Sequence, residues 1–149
     1  MNVLGIDRVL IATSEIDPAV ESFDGLLDLD FGACIDPTDT AITNRMSSVG
    51  VEFVTGEEGS AVGRFLAERG PGLYALALRV ADLDAAREHL ADQGVEPIDS
   101  MTVNAFRELY YHPREFEGTL LVLAEYDAPH PAEIAARASS ERTTTEDGC

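Results

Sequence analysis

Lysine is absent. All ten basic residues are arginines, set against 28 aspartates and glutamates, which gives a formal net charge of −18 at pH 7 over 149 residues. Without a lysine amine, Schiff-base chemistry is excluded. Without a basic face, nucleic acid is a poor partner, because phosphate contacts need clustered positive charge. No apolar run approaches a membrane span, and the start Met1–Asp7 lacks the basic stretch of a secretory leader. The expectation is therefore a cytoplasmic protein with no membrane partner. Cysteine is scarce: Cys34 falls in an expected strand and Cys149 in the tail, and they read as two unrelated reduced thiols. The acid excess favours a cationic ligand through long-range steering. Solubility, or a salt-rich cytoplasm, is the plainer explanation of it.

What the chain does have is a repeat. Residues 5–32, GIDRVLIATSEIDPAVESFDGLLDLDFG, open with an alternating apolar run and continue into a helical pattern with Pro18 just inside its start. Ile16, Ala19, Val20, Phe23, Leu26 and Leu27 share one helix face. Shifted by 67 positions, Gly5 meets Gly72, Ile16 meets Leu83, Asp17 meets Asp84, Ala19 meets Ala86 and Glu21 meets Glu88. A strand–helix opening written twice, each time followed by further strands, predicts an α+β fold of two tandem βαβββ modules.

Taken in order, the patterns predict strand 3–13, helix 17–27, and strands 29–35, 41–46 and 50–54. Ser60 caps a helix to about Arg69, and Gly70–Pro71–Gly72 forms the junction. Then come strand 73–80, helix 84–91, a short strand near 95–98, strand 105–111, a turn over 112–118 and strand 119–126. The domain is expected over 1–126, with modules 3–70 and 71–126. The alanine-, serine- and threonine-rich stretch 127–149 reads as a flexible tail with a short helix near 132–138.

The segments GIDRVLIATSEIDPAVESF, SAVGRFLAERGPGLYALALRV and YHPREFEGTLLVLAEY together resemble the vicinal oxygen chelate (glyoxalase/bleomycin resistance/dioxygenase) superfamily. Within it they look most like the methylmalonyl-CoA epimerases. The resemblance implies cup-shaped mixed sheets around a central cavity and, in the metal-using members, one divalent cation. It places the four ligand positions of that cation at Arg8, Glu52, Ala75 and Val122. A guanidinium has no lone pair to give, and alanine and valine have no donor atom. One carboxylate falls short of the three or four protein ligands a transition metal takes. No metal and no other cofactor is expected. His89, His112 and His130 fall in a helix, a turn and the tail, and none is placed to replace the lost ligands.

The candidates follow from this placement. Arg8 and Glu52 are the catalytic pair, with Arg8 stabilising a carboxylate, enolate or thioester oxygen and Glu52 moving a proton. An internal ion pair filling a former metal site is the competing reading. Alternation puts Ile6, Leu10, Leu73, Ala75, Ala77, Arg79, Val122, Ala124 and Tyr126 on the cavity wall. For strand 105–111 either parity is open; the one preferred turns Arg107, Leu109 and Tyr111 inward, making Arg107 and Tyr111 substrate-binding residues. Asp7 is placed on the other face from Arg8. The resulting expectation is a metal-independent isomerase, lyase or cyclase of epimerase ancestry. It would do acid–base chemistry on a small carbonyl or carboxylate compound, as a homodimer. The alternative is a metal-free protein that binds or sequesters a small molecule, like the drug-resistance members of the superfamily.

Overall fold

The computed structural model describes residues 1–34, 42–127, 129–130, 132–133 and 149. The fold is mixed α+β, with seven strands and three helices among the described residues. In chain order these are β1 (Val3–Ala12), α1 (Ile16–Leu27), β2 (Ile42–Met46), β3 (Val51–Gly56), α2 (Ala61–Arg69), β4 (Gly72–Val80), α3 (Leu83–Ala91), β5 (Asp99–Val103), β6 (Phe106–Tyr111) and β7 (Leu120–Glu125). Two compact units divide the chain: Met1–Val9 with Ala75–Ala128, and Leu10–Tyr74 with Pro129–Cys149.

In the first unit the strands run in the order β1-β4-β7-β6-β5. β4 and β7 are parallel, from Ala75 opposite Leu120 to Arg79 opposite Ala124. β6 pairs antiparallel with both β7 and β5. Helix α3 starts where the Asp82 carboxylate accepts a hydrogen bond from the Ala85 amide at 2.8 Å, satisfying a donor that a helix start otherwise leaves open. Its apolar side carries Leu83 and Ala86 into a core with Val80, Leu109, Tyr111, Leu121 and Leu123. Full burial of a leucine such as Leu123 is worth about 1.5–3 kcal/mol, so this cluster is the main support of the unit.

The second unit is built differently. β2 and β3 form an antiparallel hairpin, with Met46 opposite Glu52. Its turn is tied by the Val51 amide donating to Ser47 Oγ at 2.9 Å, and Gly50 takes the left-handed φ of 83° that the reversal needs. The last residues of β1 lie beside β3, where the Thr13 amide meets the Val54 carbonyl at 2.9 Å. The core joins Ile16 and Val20 of α1 to Phe31 and Phe53. Phe23 meets the Phe53 ring edge-on at 4.9 Å, and Phe31 stacks on it at 5.5 Å. Ser60 caps α2, accepting from the Gly63 amide at 2.9 Å.

Several expectations change. The strand expected over 29–35 contributes only an isolated bridge between Phe31 and Ser47, and residues 35–41 lie outside the described residues. The strand expected near 95–98 forms instead over 99–103, because Asp99–Val103 is the stretch in register with β6. The helix expected over 132–138 lies outside the described residues except for 132–133, which are helical. Ile6 and Leu73, expected to face inward, are 70% and 73% exposed. The cysteines are not free thiols: Cys34 and Cys149 form a disulfide across 115 residues of sequence. Sequence separation gave no hint of that pairing, which depends on the fold bringing the two Cα atoms to 5.2 Å.

Candidate functional site

Register decides which side chains share a face in the first unit. Directly paired residues point to the same side of a sheet. Glu108 lies opposite Ala124 and Tyr110 opposite Val122; Ala124 in turn lies opposite Arg79, Val122 opposite Ala77, and Leu120 opposite Ala75. One face therefore carries Glu108, Tyr110, Val122, Ala124, Arg79, Ala77 and Ala75. The other carries Leu109, Tyr111, Leu121 and Leu123 into the core under α3.

This reverses the parity preferred for β6. Tyr111 is fully buried beneath α3, and its hydroxyl has no hydrogen-bond partner among the described residues. Burial pushes that phenol up from its ordinary value. Arg107 hydrogen-bonds to Asp84 of α3 at 2.6 and 3.2 Å. Neither residue lies on the face of Ala75 and Val122. The reason is packing: α3 needs two large apolar partners from β6, and Leu109 and Tyr111 supply them.

The face thus exposed to chemistry holds a chain of buried polar groups. Arg8 Nη1 donates to Asp7 Oδ2 at 2.6 Å, and Arg8 Nη2 donates to Glu108 Oε1. The second oxygen of each carboxylate accepts from a phenol, Tyr110 Oη to Glu108 at 2.6 Å and Tyr126 Oη to Asp7. The order is Tyr126–Asp7–Arg8–Glu108–Tyr110. Asp7, Arg8 and Glu108 are 5%, 6% and 2% exposed, so two carboxylates and the guanidinium they share are held in low dielectric by ion pairing. Burial holds the Tyr126 phenol well above its ordinary value, and its bond to the Asp7 carboxylate adds to this.

A stack of flat groups runs beside that chain. The Phe106 and Tyr126 rings stack at 5.2 Å. Arg8 lies 5.6 Å from the Phe106 centroid and Arg79 4.0 Å from the Tyr126 centroid. Arg79 Nη2 also donates to the Tyr126 carbonyl at 2.8 Å.

In the second unit Glu52 is 4% exposed and accepts from Asn44 Nδ2 at 2.6 Å. Leu10 is buried in the same unit. A cleft of about 430 Å³ in this unit is lined by residues including Asp17, Thr43, Thr55 and the Cys34–Cys149 pair. It touches none of the expected site residues.

Residues 7–111 match the Glyoxalase/Bleomycin resistance protein/Dioxygenase superfamily. The chain belongs to that superfamily. Methylmalonyl-CoA epimerase from Mycobacterium tuberculosis is 31% identical, with a TM-score of 0.76 over 88% of this chain and 93% of that one. A Streptomyces coelicolor methylmalonyl-CoA epimerase variant in complex with 2-nitronate-propionyl-CoA is 24% identical, with a TM-score of 0.76 over 85% and 99% of the two chains. A methylmalonyl-CoA epimerase in complex with methylmalonyl-CoA and NH4+ is 23% identical, with a TM-score of 0.77 over 86% and 98%. The last two likenesses speak for the fold alone. No curated protein matches the chain.

Ala75 and Val122 are buried with no donor atom to offer, and Arg8 is engaged with two carboxylates. Among the described residues no group of three or more His, Cys, Asp or Glu side chains is placed to hold a metal ion. Of the four positions that the resemblance assigns to a metal ion, Glu52 alone carries a carboxylate. Sequence reasoning missed Asp7, Glu108 and Tyr110. The available signal was Glu108 itself, an acid directly before the apolar and aromatic run LYY of β6. Among the described residues no helix is long and apolar enough to cross a membrane.

Proposed function

We propose that this chain is a metal-independent enzyme of epimerase ancestry that moves a proton on a small carbonyl or carboxylate compound, as an isomerase, lyase or cyclase. The observation that carries the reading is the buried Arg8 guanidinium, clasped by Asp7 and Glu108 on the face that also holds Ala75 and Val122. A guanidinium keeps its charge at any working pH, and a fixed cation in low dielectric stabilises a developing oxyanion without reorganising. Glu52 is the proton carrier of this proposal. Its carboxylate takes the proton from a carbon beside a carbonyl, the electron pair passes to the carbonyl oxygen, and Glu52 returns the proton. Asn44 orients that carboxylate through the bond to Oε1.

The methylmalonyl-CoA epimerases set the ancestry, but their own reaction is not the expected one, since the resemblance ties it to a metal that this donor set does not suit. The reading needs no cofactor, and it takes the protein to be a cytoplasmic homodimer acting on a free small molecule. A second reading, sequestration without turnover, draws support from the net charge of −18 together with the small apolar side chains of Ala75 and Val122. These suit a cationic, partly aromatic ligand.

The test is solvent-deuterium exchange at carbons beside carbonyls, followed by NMR with chelator-treated protein over a panel of 2-substituted carboxylates, 1,3-dicarbonyls and thioesters. At least one compound is expected to exchange, and Glu52→Gln is expected to slow that exchange 100-fold or more with the fold intact. Exchange that persists in Glu52→Gln, or that appears only when a divalent ion is added, overturns the proposal. Binding without exchange by any compound selects sequestration.

A further inference from the structure

Helix α1 begins without the support that the other two described helices have. Ser60 caps α2 and Asp82 caps α3, but Glu15 at the start of α1 makes no side-chain cap. What ties that start down is Asp17 in its first turn. Asp17 Oδ1 accepts from Arg45 Nη1 of β2 at 3.3 Å and from the Cys149 amide at 2.9 Å. Arg45 Nε in turn donates to the Gly32 carbonyl at 2.9 Å, two residues before Cys34. The Cys34–Cys149 disulfide completes the circuit. All five residues belong to the second unit, where they clasp α1 and β2 to position 149.

Of the links between these segments only the disulfide is covalent, and it is within reach of a reductant. Cys149 is exposed and Cys34 half-buried, and both line the cleft beside Ser14–Pro18. Exposed disulfides exchange with thiols far more readily than enclosed structural ones. The other links are weak by themselves. An ion pair such as Arg45–Asp17, with the Asp17 side chain 36% exposed, contributes little, and the Cys149 amide stays on Asp17 only while the residue is kept there.

We infer that the Cys34–Cys149 bond is a reversible redox fastener for the start of α1 and for β2. A thiolate of a dithiol reductant attacks Cys149 Sγ, the exposed sulfur, and the bond to Cys34 breaks. Cys34 leaves as a thiolate and takes a proton from water. The second thiol of the reductant, giving its own proton to water, then displaces Cys149, which is protonated in turn. Two electrons pass to the protein, two thiols form, and the reductant becomes a disulfide. Asp17 loses the Cys149 amide, and α1 and β2 open more readily. The first unit, which holds neither cysteine, keeps its order. Because β2 also carries Asn44, the fastener bears on the bond from Asn44 to Glu52. It does not depend on what Glu52 does. In the reducing compartment proposed above, a disulfide is of the transient, sensing kind.

Amide hydrogen exchange of the full chain with and without dithiothreitol, read by mass spectrometry, tests this, with alkylation counting the thiols. Dithiothreitol is expected to open the bond without denaturant. Amide exchange should then quicken about ten-fold or more in α1 and β2 and change less than about two-fold in β6 and β7. Oxidised glutathione should restore the first pattern. Cys34→Ser and Cys149→Ser should each show the reduced pattern and no response to dithiothreitol. Asp17→Ala should quicken exchange in α1 of the oxidised protein and leave little for reduction to add. Circular dichroism checks that each variant folds, and the reversibly reduced wild type carries the test where one does not. A bond that resists dithiothreitol in the folded protein, or amide exchange unchanged by reduction, overturns the inference. So does exchange raised equally in β6 and β7, because the bond would then support the whole chain.

Discussion

Each compact unit holds one of the two repeated helices, α3 in the first and α1 in the second, and different forces hold each unit together. The first joins a full set of strands through an aliphatic core under α3 and carries on its opposite face a buried chain of two acids, two phenols and an arginine. The second has a two-stranded hairpin, a core centred on Phe53 and a disulfide. The repeat therefore accounts for a similar helix in each unit, while the other residues of each unit decide how it is stabilised. Where one unit spends its polar residues inside, the other relies on aromatic packing and a covalent link.

The largest expected effect comes from breaking the buried charge chain. Arg8→Met keeps most of the volume but leaves Asp7 and Glu108 without their cation, and it should cost about 3–5 kcal/mol in a urea melt. Adding Asp7→Asn and Glu108→Gln to that variant should restore part of the loss. A wild-type midpoint for Arg8→Met alone would mean that the first unit is held by its apolar core only.

Next comes the covalent link of the second unit. Closing a loop of 115 residues restricts the unfolded chain, so Cys34→Ser or reduction should lower stability by about 2–4 kcal/mol. Thiol titration of the denatured, unreduced protein should find no free thiol. Two titrating thiols would restore the expectation drawn from sequence and remove the contrast between the units.

The smallest effect is one of pH. Burial raises the phenols of Tyr74 in the second unit and of Tyr111 and Tyr126 in the first above their ordinary value of 10.0. Below pH 10 these groups are protonated in folded and unfolded chains alike, and their contribution is fully present. Above it the unfolded chain ionises first, so stability is lost as pH rises toward the folded values. Absorbance at 295 nm during alkaline titration should show Tyr74, Tyr111 and Tyr126 ionising late. Tyr126→Phe should shallow the alkaline fall and, by removing its bond to Asp7, cost about 1 kcal/mol at neutral pH. Early ionisation of Tyr126 would mean that its bond to Asp7 is not formed in solution.

Much of the fold was legible because strand and helix periods differ, two residues against 3.6. That contrast marks Val3–Ala12, Ile16–Leu27, Gly72–Val80 and Leu83–Ala91 from sequence alone. The strand FRELYY was not legible in the same way. Its large side chains occur at both parities, Phe106 and Tyr110 on one and Leu109 and Tyr111 on the other, so alternation had no preferred solution. The helix packed above it made the choice and thereby turned Glu108 toward Arg8. Asp7 was misplaced for a related reason. Alternation assigns it to the far face, yet its short side chain bonds the guanidinium next to it and the phenol of Tyr126, 119 residues away.

By itself the sequence determined the composition of the chemistry: arginine without lysine, one acid among the four positions that the resemblance assigns to metal ligands, and most of the order of strands and helices. These follow from residue identity and short-range periodicity, which need no partner. Tertiary structure decided which arginine is neutralised, which face of β6 is chemical, and that Cys34 meets Cys149. Each of those depends on contacts between residues distant in the chain, and local patterns carry no record of such distances.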